Sequence, residues 1–289
     1  MGPLDFVRLP ELMHRTSGRP EIRVGLIDGP VLLTHPGLAG QSLHEVPGHL
    51  SGTCASAKSV ACMHGTFVAG ILVARRGSSA PAICPGCTLL VRPIFAETNS
   101  TNGDMPSATP EELGQAIEDC TNAGARVLNL SAALMHPSAK GQRQLEQALD
   151  YAASHGVISV AAGGNQGTLG SSAITRHPSV IPVAACDSGG RPLRESNLGS
   201  SIGRRGLMAP GQGITSLGTK GEPQTLGGTS AAAPFVTGAV ALLWSEFPSA
   251  RASQIKLAIT QAGSVRRRTV APPVLNAWAA YQILSSMQA

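Results

Sequence analysis

A chain of 289 residues that is 42% hydrophobic can bury a large core, which excludes a fibre, a coiled coil or a disordered tail as its main state. Aromatic residues make up only 3% against 34 glycines, so helices and strands are expected to meet through small side chains. The formal charge of +5 is spread along the chain, and its one dense run, Arg266-Arg267-Arg268, reads as a solvated loop, so no nucleic-acid partner is expected.

The N-terminus has no basic segment followed by an apolar one, and no apolar run reaches the roughly 18 residues of a membrane span. A cytoplasmic protein without membrane contact is the expectation. Residues 1–20 read as an N-terminal extension of a single domain filling 1–289, expected to act as a monomer. The first strand is predicted over Glu21–Asp28 (EIRVGLID), a short β-branched run that stops at Gly29-Pro30 and leaves Asp28 at a strand's C-terminal end. Residues 36–62, rich in Gly, His and Ser, read as loop. A helix is predicted from near His64 to about Arg75, then a strand over Thr88–Phe95. Thr109-Pro110-Glu111-Glu112 is a helix start with Thr109 as cap, Pro110 in the first position and Glu112 closing a capping box, and Gly124 marks its end.

A strand over Arg126–Leu130, a helix over Lys140–Ser154 and strands over Val157–Ala161 and Val180–Ala185 follow. A long small-residue helix begins after Gly227-Gly228-Thr229-Ser230 and runs to about Glu246, and helices near Ser249–Ala262 and Asn276–Ser285 close the chain. The alternation predicts an α/β fold of three layers, a mainly parallel sheet with helices on both faces. Of the six cysteines, Cys54, Cys62, Cys84 and Cys87 fall in one stretch, which leaves ordinary thiols, two local disulfides or a four-thiolate zinc site open.

Four local patterns carry chemistry: Leu26-Ile27-Asp28-Gly29, the His64–Gly70 helix start HGTFVAG, Ala162-Gly163-Gly164-Asn165, and the Gly228–Pro234 stretch GTSAAAP. A serine hydroxyl becomes a nucleophile only when a neighbouring imidazole accepts its proton, the part His64 would take for Ser230. The imidazole in turn needs a fixed carboxylate, which Asp28 on its strand would supply. Ser230 at a helix start lies where backbone N–H groups favour negative charge, and Asn165 could donate its side-chain amide to an oxyanion. Singly, each residue has a plainer role as turn former or N-cap. His35, His44 and His49 compete with His64, but none opens a small-residue helix, and they read as surface or loop residues.

With these motifs in this order, the chain resembles the subtilase family of serine peptidases over about Ile22–Leu243. The resemblance implies a subtilisin-like fold, a catalytic triad of Asp28, His64 and Ser230, and Asn165 as oxyanion donor. It also implies substrate binding at Ser131, Ala132, Ala133, Gly163 and Gly164, no cofactor or metal in the site, and serine endopeptidase activity on peptides. Within the family, Asp28-Gly29-Pro30-Val31 and Cys87–Phe95 (CTLLVRPIF) resemble the branch that matures ribosomally made precursor peptides of the cyanobactin type. Macrocyclising members of that branch carry a large helical insertion between the catalytic Asp and His. The stretch here is too short for one, so hydrolysis is expected, with a peptide ligase and a non-catalytic peptide-binding pseudoprotease as the alternatives.

Ala231 stands where Met is usual in the family, which predicts tolerance of peroxide. Ala133 stands where Gly is usual, which predicts a narrowed specificity pocket. Arg75–Pro81 offers no ligands for the family's calcium loop, and no separate inhibitory pro-segment is expected before Ile22.

Overall fold

Short runs of apolar residues separated by helical patterns fold into a parallel sheet in the computed structural model, which describes residues 2–97, 107–131, 139–262 and 269–288. Two short helices, α1 (Pro3–Phe6) and α2 (Pro10–Arg15), precede β1 (Arg23–Asp28); a 3-10 turn at Pro36–Leu38 and the strand β2 (Leu43–Glu45) lead to α3 (Val60–Val73). Next come β3 (Thr88–Pro93), α4 (Pro110–Asn122), β4 (Val127–Leu130), α5 (Ala139–Ser154), β5 (Ile158–Ala162), α6 (Ala173–Arg176) and β6 (Val180–Cys186). The chain continues through α7 (Ser200–Arg205), β7 (Leu207–Pro210), β8 (Ile214–Ser216), β9 (Gln224–Leu226), α8 (Thr229–Glu246), α9 (Ala252–Gln261) and α10 (Ala277–Gln288).

Seven strands form one sheet in the order β2-β3-β1-β4-β5-β6-β7, every neighbouring pair parallel, while β8 and β9 form a separate antiparallel pair. Because helices cover both faces, the inner strands are buried except for Arg23 at the start of β1 and read as mainly apolar runs. Val24 and Leu26 of β1 pack with Phe67 and Ile71 of α3 and Phe235 and Val236 of α8. Ile27 of the same strand joins Leu113 and Ile117 of α4 and Leu145 and Leu149 of α5 on the opposite face. These are the three layers that the alternation predicted. In α8 every residue but Ser230 and Glu246 is buried, which accounts for a helix of mostly small and apolar residues with no polar face. The box at the start of α4 forms as expected, Thr109 Oγ1 accepting from the Glu112 amide and Glu112 Oε2 from the Thr109 amide.

Two expectations need correction. The segment 36–62 is not all loop: it contains β2, the edge strand paired with β3, and the first turn of α3. That helix begins at Val60 and not near His64; its N-cap is Ser59, one of several serines in the loop before it, and the Ser59 side chain makes no cap bond. The residues Ala132, Ala133 and Arg266-Arg267-Arg268 lie outside the described residues. Among the described residues no helix is long and apolar enough to cross a membrane.

The sheet winds outward in both directions from β1 and β4, and such a switch point opens a crevice at the strands' C-terminal ends. Asp28 ends β1, Ser131 follows β4 and Asn165 follows β5, so three of the singled-out positions surround this crevice.

Candidate active site

Three side chains far apart in sequence form one hydrogen-bonded row. Asp28 is fully buried; its Oδ1 accepts from the Gly29 amide at 2.6 Å and lies 2.7 Å from His64 Nδ1. His64 Nε2 lies 3.0 Å from Ser230 Oγ. A carboxylate can only accept, so Nδ1 carries the imidazole proton and Nε2 is left as acceptor for the serine hydroxyl.

Backbone packing sets the first of these distances. A Cβ on Gly29 would stand 2.0 Å from the Ala61 carbonyl oxygen, and one on Gly65 would stand 2.4 Å from the carbonyl oxygens of Gly29 and Pro30. Helix α3 therefore rests directly on the turn that follows β1, and no residue with a hydroxyl side chain fits at position 29. Asp28 Oδ2 is correspondingly buried with no hydrogen-bond partner among the described residues. Burial works against a charged His64, but the neighbouring Asp28 carboxylate, through its charge and its hydrogen bond, outweighs that cost and raises the imidazole pKa above its ordinary value.

Ser230 is the second residue of α8, reached through Gly228 at φ +96, a conformation that favours glycine. Its neighbour Thr229 ties this turn to Asn165: the Thr229 amide and hydroxyl donate to Asn165 Oδ1 at 2.8 and 3.0 Å, and the same hydroxyl accepts from the Gly164 amide at 3.0 Å. With its carbonyl end held, Asn165 has its Nδ2 group left to donate. A Cβ on Gly228 would stand 2.8 Å from that nitrogen, so the amide lies against the turn leading to Ser230.

The other singled-out positions are engaged within the protein. The Ser131 amide donates to the Ile27 carbonyl, and its hydroxyl accepts from Asn129 Nδ2 at 2.9 Å. The Gly163 amide donates to Val183, and the Gly163 and Gly164 carbonyls accept from Asn197. What the two glycines can offer a ligand is surface and space. Sequence reasoning missed Asn197, which also accepts from the Gln166 and Thr168 amides and so shapes the loop carrying Asn165. It missed Asn129 as well, whose Oδ1 accepts from Thr237 on α8 at 2.8 Å. Sequence reasoning could not pair Asn197 with Thr168 or Asn129 with Thr237, contacts that span 29 and 108 positions.

His35 caps the 3-10 turn by accepting from the Gly37 amide at 2.9 Å, His44 sits on edge strand β2, and His49 is exposed. The cysteines resolve as one disulfide, Cys54–Cys62, with Cys84 and Cys87 as buried thiols; the four-thiolate zinc reading thereby loses two ligands. Two recesses include Asn165 and Met63, the residue before His64. One of about 420 Å³ beside Asn165 is lined by Gln166, Arg194 and Glu195, and one of about 430 Å³ beside Met63 is lined by Lys220, Glu222 and Gln224. A wider one of about 510 Å³ lies by Glu21, Arg23 and Thr88 at the opposite ends of the strands, away from this chemistry.

A family model described as the subtilase family matches residues 19–274. Subtilisin DY of Bacillus licheniformis is 33% identical over 243 residues, 81% of this chain and 81% of that protein. Among solved structures, a serine-to-alanine mutant of the protease domain of PatA is 32% identical at a TM-score of 0.85, covering 93% of this chain and 97% of that one. The prenylagaramide maturation protease PagA is 29% identical at a TM-score of 0.83, covering 96% of this chain and 98% of that one.

Proposed function

The chain belongs to the subtilase family, and from that premise we propose that it is a serine endopeptidase whose triad is Asp28, His64 and Ser230, with Asn165 as an oxyanion donor. Ser230 Oγ attacks the peptide carbonyl while its proton passes to His64 Nε2. The oxyanion is held by Asn165 Nδ2 and by backbone N–H groups at the start of α8. His64 then gives the proton to the leaving amine, and water, activated by the same imidazole, releases the acyl group. The observation that carries this reading is the continuous row of 2.7 and 3.0 Å contacts from Asp28 through His64 to Ser230.

The substrate class we assign is a ribosomally made precursor peptide, supported by the likeness to PatA and PagA over nearly the whole chain. Hydrolysis is favoured over ligation because residues 29–59 contain one 3-10 turn and one three-residue strand, with no helix to shield an acyl-enzyme from water. Mass spectrometry after incubation with such a peptide should find fragments whose masses sum to the substrate plus one water. A cyclic product, lighter than the linear fragment by one water, would instead establish the ligase.

The oxyanion assignment predicts that Asn165→Ala lowers kcat by about 10²–10³-fold with little change in KM, a magnitude known from subtilisin itself. Because Asn165 also anchors Thr229, the control is Asn165→Asp, which keeps the acceptor and lacks the donor; it should be at least as slow. A normal rate in the Asp variant would take Asn165 out of the chemistry. The raised His64 pKa fixes the sign of the pH dependence, since only the neutral imidazole can accept the serine proton. The acid limb of kcat/KM against pH should therefore have its midpoint above the ~6.5 of a free histidine. A midpoint below that value would contradict the pairing with Asp28.

A further inference from the structure

We propose that Cys54, Cys62 and Glu97 act as one positioning unit that keeps His64 in register with Asp28 and Ser230, so that cutting the disulfide slows turnover. The inference rests on the reading of His64 as general base. The bond joins the loop 54–59 to the third residue of α3, two residues before His64 in the same helix. The helix start lacks a side-chain cap: Ser59, its N-cap, makes no side-chain cap bond, and its hydroxyl is buried without a partner among the described residues. Glu97 grips the loop from the other side, accepting from the Ala55 amide at 2.7 Å and the Ser56 amide at 2.9 Å, with a carboxylate oxygen within 4.8 Å of both sulfurs.

Glu97 follows β3, whose continuation is tied to the triad strand through the Ile94 amide and the Asp28 carbonyl at 2.8 Å. The unit thus links the backbone that carries Asp28 to the helix that carries His64. A third tie, from the Thr219 hydroxyl to the Ala57 carbonyl, brings in the turn between β8 and β9. Loss of the bond would free the first turn of α3, where Ala61 rests on Gly29 and sets the Asp28 to His64 distance. A shift of about 1 Å in a catalytic group can cost on the order of 10²-fold in rate.

Cleavage needs a thiol or phosphine reductant: it supplies two electrons, the sulfurs take up two protons, and the reductant is oxidised. Cys54 is half-buried and offers the point of attack, whereas the four remaining cysteines are buried thiols that a reductant leaves unchanged.

The experiment compares the oxidised protein, the same protein reduced under native conditions with free thiols counted, the Cys54→Ala/Cys62→Ala double variant, Glu97→Ala and Glu97→Gln. Reduction or loss of the pair should lower kcat about 10–100-fold with KM within about twofold, the signature of a displaced catalytic group and not of lost binding. The His64 pKa, followed by NMR of the imidazole ring, should fall toward the ordinary value as the Asp28 contact loosens. Glu97→Gln, which keeps one accepting oxygen, should lie between wild type and Glu97→Ala. Adding Glu97→Ala to the double variant should cost less than the product of the separate effects. Unchanged kcat and unchanged His64 pKa after verified reduction would overturn the proposal, as would simple multiplication of the two effects. A wild type inactive on every peptide would count against the peptidase reading instead, and the NMR titration would still report on the unit.

Discussion

Replacing Ser230 by Ala should lower kcat by about 10⁶-fold, the loss known for the nucleophile of subtilisin, while leaving the fold intact. The two halves of this expectation come from different observations. Ser230 Oγ has a hydrogen-bond contact with His64 Nε2 and no other among the described residues, so its removal takes away the proposed attacking atom without disturbing another side-chain bond. The structural work at this turn belongs to Thr229, whose amide and hydroxyl hold Asn165, and to Gly228, which supplies the backbone conformation. A residual acceleration over water should persist because Asn165 and the N–H groups of α8 still bind a developing oxyanion. His64→Ala should cost about as much, and the double variant little more than either, since nucleophile and base act as a unit. Labelling by a fluorophosphonate reagent should disappear in Ser230→Ala, and thermal unfolding should stay close to wild type. A variant that kept more than a hundredth of the rate would identify another nucleophile, and one that lost its fold would make Ser230 a structural residue.

How far the site could be read from the sequence depended on whether a residue's job is local. Asp28 at a strand end, Ser230 after two glycines and Asn165 after a strand announce themselves through their neighbours, and the structure brings the first two onto one imidazole. The start of α3 did not, because Ser59 at its N-cap is one of several serines in the loop before it and so did not stand out as a helix signal. The pairing of Cys54 with Cys62 was one of several options since spacing says nothing of direction: Cys87 faces the other way, its sulfur 2.5 Å from where a Cβ on Gly18 would be. Edge strand β2, three residues long with a His and a Glu, has too little periodicity to show. That Gly29 is a packing requirement is visible only once Ala61 is seen against it.

Asp28→Asn should lower kcat by about 10⁴-fold, the magnitude known for the same exchange in a serine protease triad, although the two side chains have nearly the same shape. An asparagine amide at this position has two orientations, and each fails for a stated reason. With its carbonyl toward His64, the imidazole keeps the right tautomer but loses the negative charge that stabilises it once protonated. The NH₂ group then occupies the place of Oδ2, which is buried with no partner among the described residues, at a cost of about 1–3 kcal/mol. With the NH₂ toward His64, Nδ1 must accept, the proton moves to Nε2, and the base now points a donor at Ser230. Either way, burial no longer meets an opposing charge, so the His64 pKa should drop below its ordinary value, reversing the direction seen beside Asp28. The acid limb of the pH profile should move to lower pH as the rate collapses. ¹⁵N NMR of the imidazole distinguishes the orientations by showing which ring nitrogen holds the proton. A variant with a near-normal rate and an unmoved limb would remove Asp28 from the catalytic row.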